Sequence, residues 1–410
     1  MTFHMGVLVT FVVINLIDKV SFEDMASSPR EETPMNGNLV TRKSAACSQI
    51  NPNKLKIHHF AFLTAAILMC VAYSSVLKAD DRAFLPGPTR VVSTVPANGD
   101  VNPYGVAFVP IEFPAGGTIN PGDVLVSNFN ASSNLQGTGT TIVDVPANAP
   151  VMLFFQGTAP LGLTTALNIL QKGFVLVGNF PSPDGTCGSA SAGSILVIDK
   201  NGKLVSTISD STIQGPWDST LLDEGNTAKL FVSNALSGAV VRYDLKVTSS
   251  AVSVAKATQI ASGYLHNCDP VTFVDAPTGL VYDSYKDILY VSSSADNAVF
   301  AVSDAGNRTH DGGIGTVIYK DQKHLHGALG LAMAPNGHLL VTNNDSINPD
   351  PAQPSELVEF TKEGQFVKEI SLDPSPGGSF GLAVETDGKT ARLAAVDDSV
   401  NLFLIWTLQN

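Results

Sequence analysis

Six times after residue 90 the chain returns to one phrase: a turn marked by Pro or Gly, an apolar strand, then a second strand ending in Asn, Asp or Ser. The openings are Pro103-Tyr104-Gly105, Pro160-Leu161-Gly162, Pro216-Trp217-Asp218, Pro277-Thr278-Gly279, Ala328-Leu329-Gly330 and Ser379-Phe380-Gly381. Their central residues lie 57, 56, 61, 51 and 51 positions apart, counting 104, 161, 217, 278, 329 and 380. The matching second strands read VLVSNFN (124–130), FVLVGNF (174–180), LFVSNAL (230–236), LYVSSSAD (289–296), LLVTNND (339–345) and LAAVDDS (393–399). A unit of this length, made of short strands, cannot bury a face alone and must stack in an array.

Each unit reads as four strands. In the fourth they are GLVYD (279–283), DILYVSSS (287–294), AVFAVS (298–303) and GTVIYK (315–320). Alternating apolar and polar residues bounded by Gly, Asn and Asp mark half-buried strands. Asn336-Gly337 and Asn201-Gly202 supply hairpin turns. The fold class expected is all-β: a six-bladed β-propeller of four-stranded antiparallel blades. The sixth unit reaches only a third strand, NLFLIWTL (401–408), while RVVSTVP (90–96) matches the outer strand KLVSTI (203–208) of the second. The N-terminal strand is therefore expected to close the ring, which removes exposed sheet edges.

Composition excludes one large class of function. Of 410 residues, 44% are hydrophobic, and Gly (35) and Pro (24) are plentiful, as in a turn-rich globular protein. The net charge is −13 and there is no Lys/Arg run, so no nucleic-acid partner is expected.

The region ahead of the repeats divides into an extension, 1–56, and a targeting segment, 57–79, before the propeller at 80–410. Lys54 and Lys56 precede the apolar run Phe60–Val76, within which Ala72-Tyr73-Ser74 offers small residues for cleavage. That order is a secretory signal, displaced from the chain start; Met35 then becomes the expected true start. A secreted or periplasmic location follows, with a membrane anchor at 60–76 as the rival. Cys47 and Cys70 would leave with the signal, so Cys187 and Cys268 remain as a pair for a disulfide or as two separate thiols.

The pattern P-x-G-Φ, G-x-L-x-V-(S/T)-(N/D), Φ-x-V-(F/D), clearest in PNGHLLVTNND (335–345) and ELVEFTKEGQFVKEI (356–370), resembles NHL repeats over about 90–408. The whole is similar to NHL-type six-bladed propellers, and more broadly to gluconolactonase-like and TolB-like ones. Relatives of this kind include sugar-lactone hydrolases, amidating and antibiotic lyases, and binding scaffolds, so the resemblance implies fold more than activity. The chain departs from the pattern with Asp218 in place of Gly and with the insertion SINPDPAQPS (346–355). The lactonase relatives hold a divalent ion with a Glu and several Asn/Asp; here Glu112 and Glu385 lie too far along their strands.

Candidate site residues gather on the face, here called the top, that carries the loops leading into each inner strand and those joining strands two and three. Tyr104, Trp217 and Phe380 stand at the channel mouth, as ligand anchors or as packing between blades. Asn128, Asn179, Asn234, Ser294, Asn343 and Asp397 form a polar ring. Such a ring reads either as repeated turn chemistry or as an oxygen-rich site for a polyhydroxylated ligand or Ca2+. In the second case Asp397, Asn343 and Asn234 hold the cation. His326 and His266 are the candidates for acid–base work. The amidating lyases hold zinc with three channel His; here His266, His324 and His326 lie in the top entry loops of only two blades, no third blade supplies one, and His310 and His338 should face the bottom. No G-x-S-x-G, H-E-x-x-H or P-loop motif is present. The sequence thus points to an exported monomeric propeller binding a protein, glycan or small molecule at its top face. The alternative is a divalent-metal-dependent, lactonase-like hydrolase or lyase in the same channel.

Overall fold

A computed structural model describes residues 84–85 and 90–409; the extension, the targeting segment and Met35 lie outside the described residues. Six four-stranded antiparallel sheets make a six-bladed propeller. The inner strands are Val101–Phe108, Leu163–Leu170, Pro216–Asp223, Pro277–Asp283, Ala328–Met333 and Ser379–Thr386. Their hairpin partners are Val124–Asn130, Phe174–Asn179, Thr227–Asn234, Ile288–Ser293, Leu339–Asn343 and Thr390–Asp397. Arg90–Ser93 closes the ring as the outer strand of the sixth blade, pairing Arg90 with Ile405 and Ser93 with Leu402. Among the described residues no helix is long and apolar enough to cross a membrane.

Strand alternation builds the core. Between blades one and two, Leu125 and Ile142 pack with Val175, Val177, Leu196 and Ile198, all buried. Each such side chain contributes about 1.5–3 kcal/mol on leaving water. The same interleaving recurs between the remaining blades.

The inner strands are bound to one another by side-chain hydroxyls. Ser127 Oγ accepts from Gly105 N (2.9 Å) and donates to Thr164 O of the next blade (2.8 Å). Ser233 Oγ accepts from Asp218 N (3.0 Å) and donates to Thr278 O (2.7 Å). Thr342 Oγ1 accepts from Gly330 N (2.7 Å) and donates to Phe380 O (2.6 Å), and Ser292 Oγ donates to Leu329 O. The hydroxyl of the V-(S/T)-N phrase is thus the link between blades. Strands held this closely leave no room for Cβ: one at Gly381 would lie 1.8 Å from Tyr104 O, and one at Gly279 2.3 Å from Leu329 O.

Register corrects two details of the repeat. Leu163, not Pro160, pairs with Asn179, so the second opening is Leu163-Thr164-Thr165. Pro160-Leu161-Gly162 is a lead-in loop, and its Pro and Gly imitate the motif. Pro277 pairs with Ser293, which makes Ser293 rather than Ser294 the ring position of the fourth blade.

Deleting 90–96 removes four ladder positions and leaves the strand Leu402–Gln409 without its outer partner. The expected outcome is loss of a cooperative melt in circular dichroism; an unaltered transition would contradict closure by this strand.

Candidate functional site

The polar ring faces inward to its own blades. Asn179 Oδ1 accepts from Gly162 N (2.9 Å), Asn234 Oδ1 from Gln214 N (2.7 Å) and Asn343 Oδ1 from His326 N (3.1 Å). Asn128 donates to Thr94 O (3.3 Å) and Thr141 Oγ1 (3.2 Å). These side chains pin the loop that leads into each inner strand, which is the turn chemistry of Asn. Because side chains alternate along a strand, the next residue faces the axis: Phe129, Phe180 and Ala235 in blades one to three, Asn344 and Asp398 in blades five and six.

The mouth residues are buried rather than presented. Tyr104, Trp217 and Phe380 are 2%, 1% and 7% exposed. Tyr104 stacks on Phe380 (centroids 4.2 Å) and on Phe129 (4.6 Å), while Trp217 meets Phe129 and Phe180 edge-on. Phe273 completes this aromatic plug against Phe129 and Phe180, each at 5.4 Å. It comes from a two-stranded hairpin, Asn267–Asp269 with Phe273–Asp275, inserted ahead of the fourth blade. Phe273 has φ +71°, a strained backbone position that aims its ring down into the plug. Cys268 of this hairpin is bonded to Cys187 in the second blade, Cα–Cα 5.3 Å. The hairpin is thus a lid over the axis, latched across 81 residues of chain.

Over the plug, beside the lid, lies a pocket of about 250 Å³. The edges of Tyr104 and Phe380 form its floor, and Asn102, Asn130, Asn344 and Asp398 stand in its walls. Asn130 is 2% exposed; its Nδ2 donates to Asn134 Oδ1 (2.8 Å), and its Oδ1 is buried with no hydrogen-bond partner among the described residues. Burial, then the charge of Asp397, holds the Asp398 carboxyl well above the usual carboxylate range. Burial also lifts Asp397 to about 6, opposed by a hydrogen bond from Ser399 Oγ (2.8 Å) and reinforced by the neighbouring Asp373.

Neither candidate histidine stands free in this pocket. His326 is 4% exposed, and its ring nitrogens face Asn348 O and Lys323 O (3.1 Å), with Glu356 Oε1 at 3.9 Å. Those contacts fasten the 346–355 insertion. His266 is exposed, with Nδ1 3.2 Å from Tyr264 O. His338 Nδ1 meets Glu359 Oε1 at 2.6 Å; that carboxylate also accepts the N–H groups of Phe84 and Leu85. Among the described residues no three His, Cys, Asp or Glu side chains stand together as a metal site, and Asn234 and Asn343 spend their oxygens on backbone N–H groups.

Sequence reasoning missed Phe129, Phe180, Phe273 and Asn130. For the first two the signal was present, since each directly follows its ring Asn. The lid hairpin gave none, being short and outside the repeat.

Breaking the latch with Cys187→Ser should cost about 2–5 kcal/mol, read as a lower denaturation midpoint matched by wild type under reductant. An unshifted midpoint would deny the lid a structural role. A second expectation concerns pH. Burial raises the carboxyls of Asp144, Asp218 and Glu356 to about 7 and that of Asp397 to about 6. A raised carboxyl stabilises below its unfolded pKa near 4, and that stability is lost as pH rises through 6–7. Asp321, held at about 2 chiefly by its His324 contacts against the opposing effect of burial, loses its contribution only in stronger acid. The melting temperature should therefore fall from pH 5 to pH 8; a rise over that interval would refute the assignment.

No family model and no curated protein matches the chain. Solved structures do. A gluconolactonase from Xanthomonas campestris shares 14% identity, covering 78% of this chain and 89% of its own, with TM-score 0.48. Regucalcin, a calcium-binding protein from Agrobacterium tumefaciens, shares 12% over 76% and 92% (TM-score 0.46). An inactive variant of virginiamycin B lyase from Staphylococcus aureus, crystallised with quinupristin, shares 12% over 78% and 96% (TM-score 0.44). Likenesses of this strength carry no argument about chemistry, and the NHL label gains no separate support.

Proposed function

We propose that the chain is an exported, monomeric binding propeller that takes a small polyhydroxylated ligand, such as a single sugar ring, in its top pocket. One observation carries the reading: an aromatic floor and a wall of amides and carboxyl converge in about 250 Å³. The ring edges give van der Waals contact to the carbon skeleton of a sugar, while amide and carboxyl groups take its hydroxyls. The volume lies just below the ~300–1,000 Å³ of drug-sized pockets, which fits one ring rather than a chain of them.

The alternative, a lactonase-like hydrolase or lyase using a divalent cation, draws on the Asp398 carboxyl and the amide oxygens of Asn102 and Asn344 in the same pocket, oxygen groups of the kind Ca2+ takes. The two readings separate in one set of measurements. Calorimetric titration with monosaccharides and aldonolactones should give binding without turnover. Asn130→Ala and Asp398→Asn should each weaken it about tenfold, or about 1.4 kcal/mol, at unchanged fold. Lactone turnover abolished by EDTA would move the assignment to the enzyme. No binding by any member of the panel would end the sugar reading.

A further inference from the structure

A second cavity, about 410 Å³, opens at the opposite face and shares no lining residue with the top pocket. Its lining is part apolar and part polar: Val106, Leu167, Leu280, Leu331 and Leu382 surround the axis, with polar groups such as Asn168 between them. At its inner end stands the ring formed by the third residue of each opening: Gly105, Thr165, Asp218, Gly279, Gly330 and Gly381. Four are Gly, which the close approach of neighbouring inner strands requires. Asp218 alone brings a carboxyl to this ring.

That carboxyl is provided for only in part. It accepts from the backbone N–H of Ser219 (2.7 Å) and of Leu280. No Lys, Arg or His lines the cavity, and among the described residues no ion pair includes Asp218. The Arg392 guanidinium near the rim is taken by Glu385 (2.9 Å) and Gly122 O (2.9 Å). Asp223, also on the rim, accepts from Gln171 N (2.7 Å) and Gly225 N (2.8 Å). A carboxylate drawn out of water at the inner end of a channel, without a cationic partner, is costly unless a cation meets it.

We infer that the bottom channel is a second binding site, specific for a small organic ammonium ion with an apolar body. The ammonium head reaches Asp218, and the hydrocarbon lies along the leucine-lined wall. Burial holds the vacant carboxyl up near 7, and a cation beside it restores its charge. The size falls within the ~300–1,000 Å³ common to small-ligand sites. The inference stands apart from the sugar reading, since the two cavities lie on opposite sides of the plug.

The test is calorimetric titration of the full chain with benzylamine, benzyltrimethylammonium and neutral benzyl alcohol. Both cations should bind at least tenfold tighter than the alcohol. Asp218→Asn and Asp218→Gly should bring the cations down to the alcohol's affinity. The Gly variant restores the residue found in four of the six openings and so keeps the fold if the Asn variant does not. Equal affinity for cation and alcohol in wild type would overturn the proposal. So would a cation preference that survives in Asp218→Gly, which would place the binding on the acidic exterior.

Discussion

The architecture depends on how closely six inner strands can approach one axis. Hydroxyls of Ser127, Ser233, Ser292 and Thr342 bridge four of the six inner strands to a carbonyl of the next, and at three of these junctions a glycine, Gly105, Gly279 or Gly330, admits that carbonyl. Each bridge is worth only about 0.5–1.5 kcal/mol. Its importance is geometric, because it sets the bore of the wheel. Where the pattern breaks, the bore acquires function: Thr165 and Asp218 interrupt the glycines and define the inner end of the bottom channel.

The same bore explains the plug. Aromatic rings at Tyr104, Trp217 and Phe380, with Phe129, Phe180 and Phe273, fill the upper half of the axis. A through-channel is thereby divided into two blind cavities. The upper one is small, walled by amides and a carboxyl, and roofed on one side by the lid; the lower one is larger and carries a leucine-rich stretch beside Asp218. A single ligand cannot touch both ends, and each face has its own chemistry.

The fold was legible because its determinants repeat. Five Pro/Gly openings, period-2 strands in all six units and an orphan strand at 90–96 carried the reading, and Arg90–Ser93 pairs with Leu402–Ile405 as it required. The site was less legible, because a shift of one residue along a strand reverses its direction. Asn128, Asn179, Asn234 and Asn343 attracted attention as a polar set, yet they bond their own loops while Asn344 and Asp398 face the axis. Tyr104, Trp217 and Phe380, expected at the channel mouth, pack against one another and are buried. No local pattern marks the inserted hairpin, since three residues per strand carry almost no periodicity. The Gly-to-Asp exchange at 218 was visible as a departure from the repeat, though only the cavity beneath it gives that departure a meaning.

Ring closure also imposes an order of events on biosynthesis. Ser93 pairs with Leu402, so the first strand to leave the ribosome waits for one made 309 residues later, by the difference of those numbers. At ~5–20 residues per second, that interval is on the order of 15–60 s. Throughout it, the edge of the first-made strand and the open face of the first blade have no partner. A chain threaded across a membrane N-terminus first would carry that waiting strand to the far side and complete the wheel there, after its last residue had crossed.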